Sequence, residues 1–77
     1  MRRRFLLKLD RNLAGHAEIQ RLHRAIAQLP EHYARVIELT MLGYGHLEIA
    51  ERLGINYNTG RSRYNRGTAQ LQRLLDR

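Results

Sequence analysis

The sequence predicts a small all-α domain of four or five helices that closes on a C-terminal helix-turn-helix. Three observations predict it. Apolar residues recur at three- and four-residue steps along most of the chain, and nowhere do they alternate as in a strand. The residues between these runs (Gly15, Pro30, Gly43, Gly45 and Gly54) are those that helix ends and short turns require. Residues 46–66, HLEIAERLGINYNTGRSRYNR, read as a short helix, a tight turn at Leu53-Gly54-Ile55 and a second helix bearing Arg61, Arg63 and Arg66.

The elements follow in order. Phe5, Leu6, Leu9 and Leu13 fall at helical spacing, so residues 3–13 are expected as an amphipathic helix or, being terminal and basic, as an arm. Ala14-Gly15 ends that segment. Ile19, Leu22, Ile26 and Leu29 mark a clearer helix over residues 17–29. Pro30 is expected to open the next helix from its first turn, with Glu31 favourably near the positive end of the dipole. Tyr33, Val36, Ile37 and Met41 form its apolar stripe, and Gly43 fits its C-terminal end.

The helix-turn-helix comes next. Leu47, Ile49, Ala50 and Leu53 are expected on the buried side of its first helix, with Ala50 small where the two helices cross. Gly54 sits where the turn demands a left-handed backbone, which glycine adopts without strain. Ile55 is expected to plug the core beneath the turn, and Asn56 is a good N-cap. The last helix then runs through Leu71, Leu74 and Leu75, whose spacing suits packing back onto the bundle.

Composition narrows the function. Seventy-seven residues, 43% of them hydrophobic, suffice for one compact helical domain but not for a deep substrate cavity. There is no cysteine, which removes disulfides, cysteine-based zinc sites and iron–sulfur clusters. His16, His23, His32 and His46 are spread over separate segments, so no metal site is expected, and Glu48 and Glu51 read as a solvated helix face. The glycines form no phosphate-binding loop. Neither an enzyme nor a cofactor is expected. No apolar run approaches the ~20 residues that span a bilayer.

Charge points to a polyanion. Lysine and arginine total 14 against 7 acidic residues, a net charge of +7 and a pI of about 11.1. Every cation but Lys8 is arginine, the residue that forks onto phosphates and guanine edges. The charge is uneven. Arg2, Arg3, Arg4, Lys8 and Arg11 face only Asp10 at one end, and Arg61, Arg63, Arg66, Arg73 and Arg77 face only Asp76 at the other. The middle is nearly neutral. Two basic surfaces around a packing unit are therefore expected, the N-terminal one as a second basic contact.

The second helix of the pair supplies the reading chemistry. Tyr57, Asn58 and Thr59 occupy its first turn, which faces the groove floor in a helix-turn-helix; Arg61 and Ser62 come one turn later. Asn58 suits adenine and Arg61 suits guanine, each worth ~1–3 kcal/mol of discrimination. Arg63 and Arg66 are expected on phosphates, which position without specifying. A further phosphate is expected near His46, at the positive end of the preceding helix.

Residues 29–75, LPEHYARVIELTMLGYGHLEIAERLGINYNTGRSRYNRGTAQLQRLL, resemble region four of bacterial sigma factors, especially the extracytoplasmic-function type. LPEHYARVIEL, HLEIAERLGI and NTGRSRYNRGTAQLQRLL carry the resemblance, in order. The domain it implies spans residues 16–77, with residues 1–15 as an added basic arm or helix. The resemblance implies two partners: double-stranded promoter DNA, read by the helix-turn-helix, and the flap of the RNA polymerase β subunit. By position, Tyr57, Asn58, Arg61 and Ser62 would read bases. The flap would fall on Leu22, Ile26, Tyr33, Val36, Ile37 and Leu42.

The chain departs from the family pattern at three places. Gly60 replaces an aliphatic residue, Tyr64 replaces a leucine, and Gly67 adds a second helical glycine. A recognition helix that is short, kinked or ordered only on binding is therefore expected. The region that melts the downstream promoter element is not in the sequence, so a complete initiating sigma factor is not expected. The leading expectation is a cytoplasmic, monomeric regulator of bacterial RNA polymerase, phage- or mobile-element-encoded, that modulates transcription. The other reading is a stand-alone helix-turn-helix module of phage repressor or small-terminase type, without polymerase contact.

Overall fold

The structure is a computed structural model, and it describes residues 15–76. Among the described residues there are four α-helices and no strand: α1 His16–Ala27, α2 Glu31–Met41, α3 His46–Leu53 and α4 Tyr57–Leu75. The expected segment over residues 3–13, with Arg2, Arg3, Arg4, Lys8 and Arg11, lies outside them. No helix among the described residues is long and apolar enough to cross a membrane.

Helix α1 forms because Leu22, Ala25, Ile26 and, just past its end, Leu29 make one apolar stripe, and all four are buried. The chain turns at Pro30, which is the N-cap of α2 rather than its first helical residue. Its extended ψ of 142° directs its carbonyl into the helix, where it accepts from the N–H groups of Tyr33 and Ala34 at 3.0 Å. The proline still costs no helical donor, so the sequence logic survives a one-residue shift.

Helix α2 divides the core. Ile37 faces Leu22, Ala25, Ile26 and Leu29, with Leu71 of α4 closing that cluster. Val36, one step round, faces Ile49 of α3 and Tyr64 of α4. Both side chains are fully buried. This corrects an expectation. Leu22, Ile26, Val36 and Ile37 offer no surface to a polymerase flap, because they are what holds the helices together. Withdrawing any one would forfeit about 1.5–3 kcal/mol of burial. Of the six residues expected there, only half-buried Tyr33 and exposed Leu42 reach solvent.

The two glycine turns follow one pattern. After α2, Gly43 (φ 100°) donates to the carbonyl of Thr40, and Tyr44 donates to that of Leu39. After α3, Gly54 (φ 66°) donates to Glu51, and Ile55 donates to Ala50. These are Schellman closures, which satisfy the last carbonyls and need a left-handed residue. Arg52 stacks on the Tyr44 ring at 4.1 Å and ties the two turns together. At the start of α3, the Glu48 carboxylate accepts from the Gly45 N–H at 3.0 Å.

Helix α4 is the hub, packed against each of the other three. It runs 19 residues without interruption, so of the alternatives expected from its glycines the short helix is corrected. Gly60 and Gly67 are buried on its inner face with Tyr64 and Leu71. At Gly60 the Ile55 side chain reaches into the space that an aliphatic residue would take. At Gly67 the helix lies flush on Tyr33 and Ile37. Thr68 is buried on the same side, and its hydroxyl donates to the Tyr64 carbonyl at 2.8 Å. Arg21 of α1 donates to the Leu75 carbonyl and pins the end of α4.

Leu47 also departs from expectation. It is 62% exposed, not part of the core. It stands two residues before Ile49 and so roughly 160° round the helix from it. Ile49, Ala50 and Leu53 define the apolar packed side.

Candidate nucleic-acid interface

Helical periodicity sorts the side chains of α4. With Gly60, Tyr64, Gly67 and Leu71 turned inward, steps of roughly 100° per residue place Asn58, Ser62 and Asn65 on the opposite, outward face. Tyr57 and Arg61 occupy one flank. Thr59, Arg63 and Arg66 occupy the other. No carboxylate lies anywhere in Tyr57–Leu75, so the whole exposed face is neutral or positive.

The helix is presented firmly. Asn56 caps it, accepting from the Asn58 N–H at 2.7 Å. The left-handed turn at Gly54 and the Ile55 N–H bond to Ala50 fix its start against α3.

The flanks differ in chemistry. On the first, the Arg61 guanidinium donates to the Tyr57 hydroxyl at 3.2 Å across one turn. Its Nε is covered and has no partner, so that single bond holds the group in place. On the second, Thr59, Arg63 and Arg66 share a polar hollow with His32 and Tyr33 at the start of α2. His32 thus joins two arginines from another element. Its ring leans on Tyr33 at 4.2 Å between centroids.

His46, expected beside a phosphate, packs its ring edge-on against buried Tyr64, 5.1 Å between centroids. It also lines a hollow with Gly45, Leu47, Glu48 and Tyr57.

The structure therefore brings Tyr57, Asn58, Thr59, Arg61, Ser62, Arg63 and Arg66 onto one surface. It adds three residues that the sequence reading did not place there. Asn65 was signalled by its spacing of seven from Asn58. Leu47 was signalled by its distance round the helix from Ile49. His32 carried no signal, because only the packing of α2 on α4 brings it to the arginines.

A short helix, a left-handed turn and an outward helix rich in arginine and carboxamides make a helix-turn-helix DNA-binding domain. Residues 19–71 match the family Sigma-70, region 4, and the chain belongs to that family. It is similar to RNA polymerase sigma factor SigZ of Bacillus subtilis (strain 168), 39% identical over 56 residues. That match covers 71% of this chain and 32% of that protein, so the chain spans about a third of the length of the curated relative. No solved structure matches the chain significantly. Region four is a DNA-binding regulatory domain and not an enzyme family. Domains of this family bind promoter DNA and RNA polymerase.

Proposed function

We propose that this domain lays the outer face of α4 in the major groove of an upstream promoter element. It does so while docked on the β-subunit flap of a bacterial RNA polymerase, in the cytoplasm, and so modulates where transcription starts. The observation that carries the reading is the outward row of Asn58, Ser62 and Asn65 between arginine flanks, on a helix without a single carboxylate. Carboxamides pair bidentately with adenine and arginine with guanine. Arg61 reads a base. Arg63 and Arg66, with His32 beside them, hold backbone phosphates and set the register.

The polymerase contact rests on family membership and on Leu42. That residue, at the end of α2, is 74% exposed, the most exposed large apolar side chain among the described residues. The test combines two measurements on the full chain: retention of core polymerase and shift of duplex DNA. Leu42→Asp is expected to release polymerase and leave DNA binding intact. Arg61→Ala is expected to do the reverse. Arg61-dependent DNA binding without polymerase retention would make this a stand-alone helix-turn-helix module. Loss of both would refute the reading.

A further inference from the structure

Leu47 and Tyr57 are two of the three large apolar side chains most exposed among the described residues, and they stand together. They form the walls of a shallow, mostly apolar hollow over Gly45, between the first turns of α3 and α4. Neither serves the core. Exposed apolar surface that a fold does not need marks a contact.

The surroundings identify the occupant. The Tyr57 hydroxyl accepts from Arg61, so the hollow opens directly beside the guanidinium assigned to a guanine edge. Two helix N-termini, at Gly45 and Asn56, border it, and both favour negative charge nearby. The one acid present, Glu48, is spent on the Gly45 N–H. A ligand here must therefore bring an apolar group embedded in a polyanion with acceptor edges. In duplex DNA the major groove offers one such group, the 5-methyl of thymine.

We propose that the Leu47–Tyr57 hollow reads a thymine 5-methyl group at a base pair next to the one contacted by Arg61. Tyr57 has two roles there: its ring forms a wall of the hollow, and its hydroxyl aims the arginine. The assignment rests on the DNA reading of α4 and adds a position that carries specificity through shape rather than hydrogen bonds.

The test separates the two claims. A binding site is first selected from random duplexes with the full chain. Each thymine in it is then replaced by deoxyuridine, which removes the methyl group alone. One position is expected to lose about fourfold in affinity, the worth of one buried methyl. Leu47→Ala is expected to abolish that thymine–uracil difference. Tyr57→Phe is expected to keep it, since the ring remains, while weakening the preference for the neighbouring guanine. Two outcomes overturn the proposal with the DNA reading intact: uracil is tolerated everywhere while Arg61→Ala still destroys binding, or Leu47→Ala leaves the difference unchanged. Failure to select any duplex overturns both.

Discussion

Gly67 of α4 lies so close to Tyr33 of α2 that a Cβ on the glycine would stand 3.0 Å from the tyrosine Cβ. The tip of Ile37, Cδ1, would be equally near. The isoleucine methyl can swing aside. The tyrosine Cβ is set by the backbone of α2 and cannot. This contact fixes how tightly α4 sits on α2, and so how the arginines of α4 meet His32.

Opposite effects are expected from alanine at the two buried glycines. Either substitution gains about 1 kcal/mol of helix propensity. At Gly67 the new methyl meets a fixed neighbour, and overpacking costs about 1–3 kcal/mol. Gly67→Ala should therefore lower stability by about 1 kcal/mol. At Gly60 the nearest atoms would be Ile55 Cδ1 at 3.6 Å and Ala50 Cβ at 4.0 Å, ordinary contact distances. Gly60→Ala should raise stability by about 0.5–1 kcal/mol. Urea unfolding of both variants reads the signs; a stabilised Gly67→Ala would mean the helices part without cost.

The turn glycine is a different case. Gly54 has open space around it, but its φ is 66°. A Cβ in the left-handed region costs about 1–2 kcal/mol, partly offset by a less flexible unfolded chain. Gly54→Ala should thus lose about 1 kcal/mol, and Gly54→Asn less, since asparagine tolerates this region. Thermal melts of the two variants against the parent measure the ranking. Equal melting of alanine and asparagine would show that the turn adopts another backbone.

These glycines mark what was legible in the sequence. Gly54 and Gly43 were readable, because a positive φ is a local demand and the flanking apolar steps show where a helix must stop. The cap at Asn56 and the arginines of α4 were readable for the same reason. Gly60 and Gly67 were misread, because close approach depends on what stands opposite. Nothing near Gly67 in sequence names Tyr33. Leu22, Ile26, Val36 and Ile37 were expected on a docking surface from the family resemblance, and the structure buries them between the helices. An apolar stripe shows which face is covered, not whether the cover is a partner or another helix of the chain.

The two flanks of α4 should respond differently to salt. Arg66 shares its hollow with His32 and Arg63, on the flank of α4 opposite Arg61 and bordered by Asn58 and Ser62 of the outward row. Removing a phosphate contact weakens binding about equally on all sequences and lowers the slope of log affinity against log salt by about 1. Arg66→Ala should do this, and His32→Ala should act in the same direction but less. Arg61→Ala should change sequence preference by about 1–3 kcal/mol at one base pair instead. Titrations at several salt concentrations, on the preferred duplex and on a scrambled one, distinguish the two behaviours. A sequence-selective Arg66→Ala effect would place that arginine on a base.

Two aspartate substitutions separate docking from folding. Ile37 is fully buried between α1 and α4, whereas Leu42 is 74% exposed at the end of α2. A carboxylate at position 37 would be buried among Leu22, Ile26 and Leu71. Burying an unpaired charge costs several kcal/mol, comparable to the whole stability of a small domain. Ile37→Asp should therefore lose its helical circular dichroism at 25 °C, and any loss of polymerase or DNA binding would follow from unfolding. At position 42 the same carboxylate meets water. Leu42→Asp should keep the parental spectrum and melt within about 0.5 kcal/mol of it, as surface changes do. Polymerase retention can then be interpreted for that variant alone. If Leu42→Asp unfolds as well, the Schellman turn at Gly43 depends on the leucine, and its exposure reflects structure rather than a docking role.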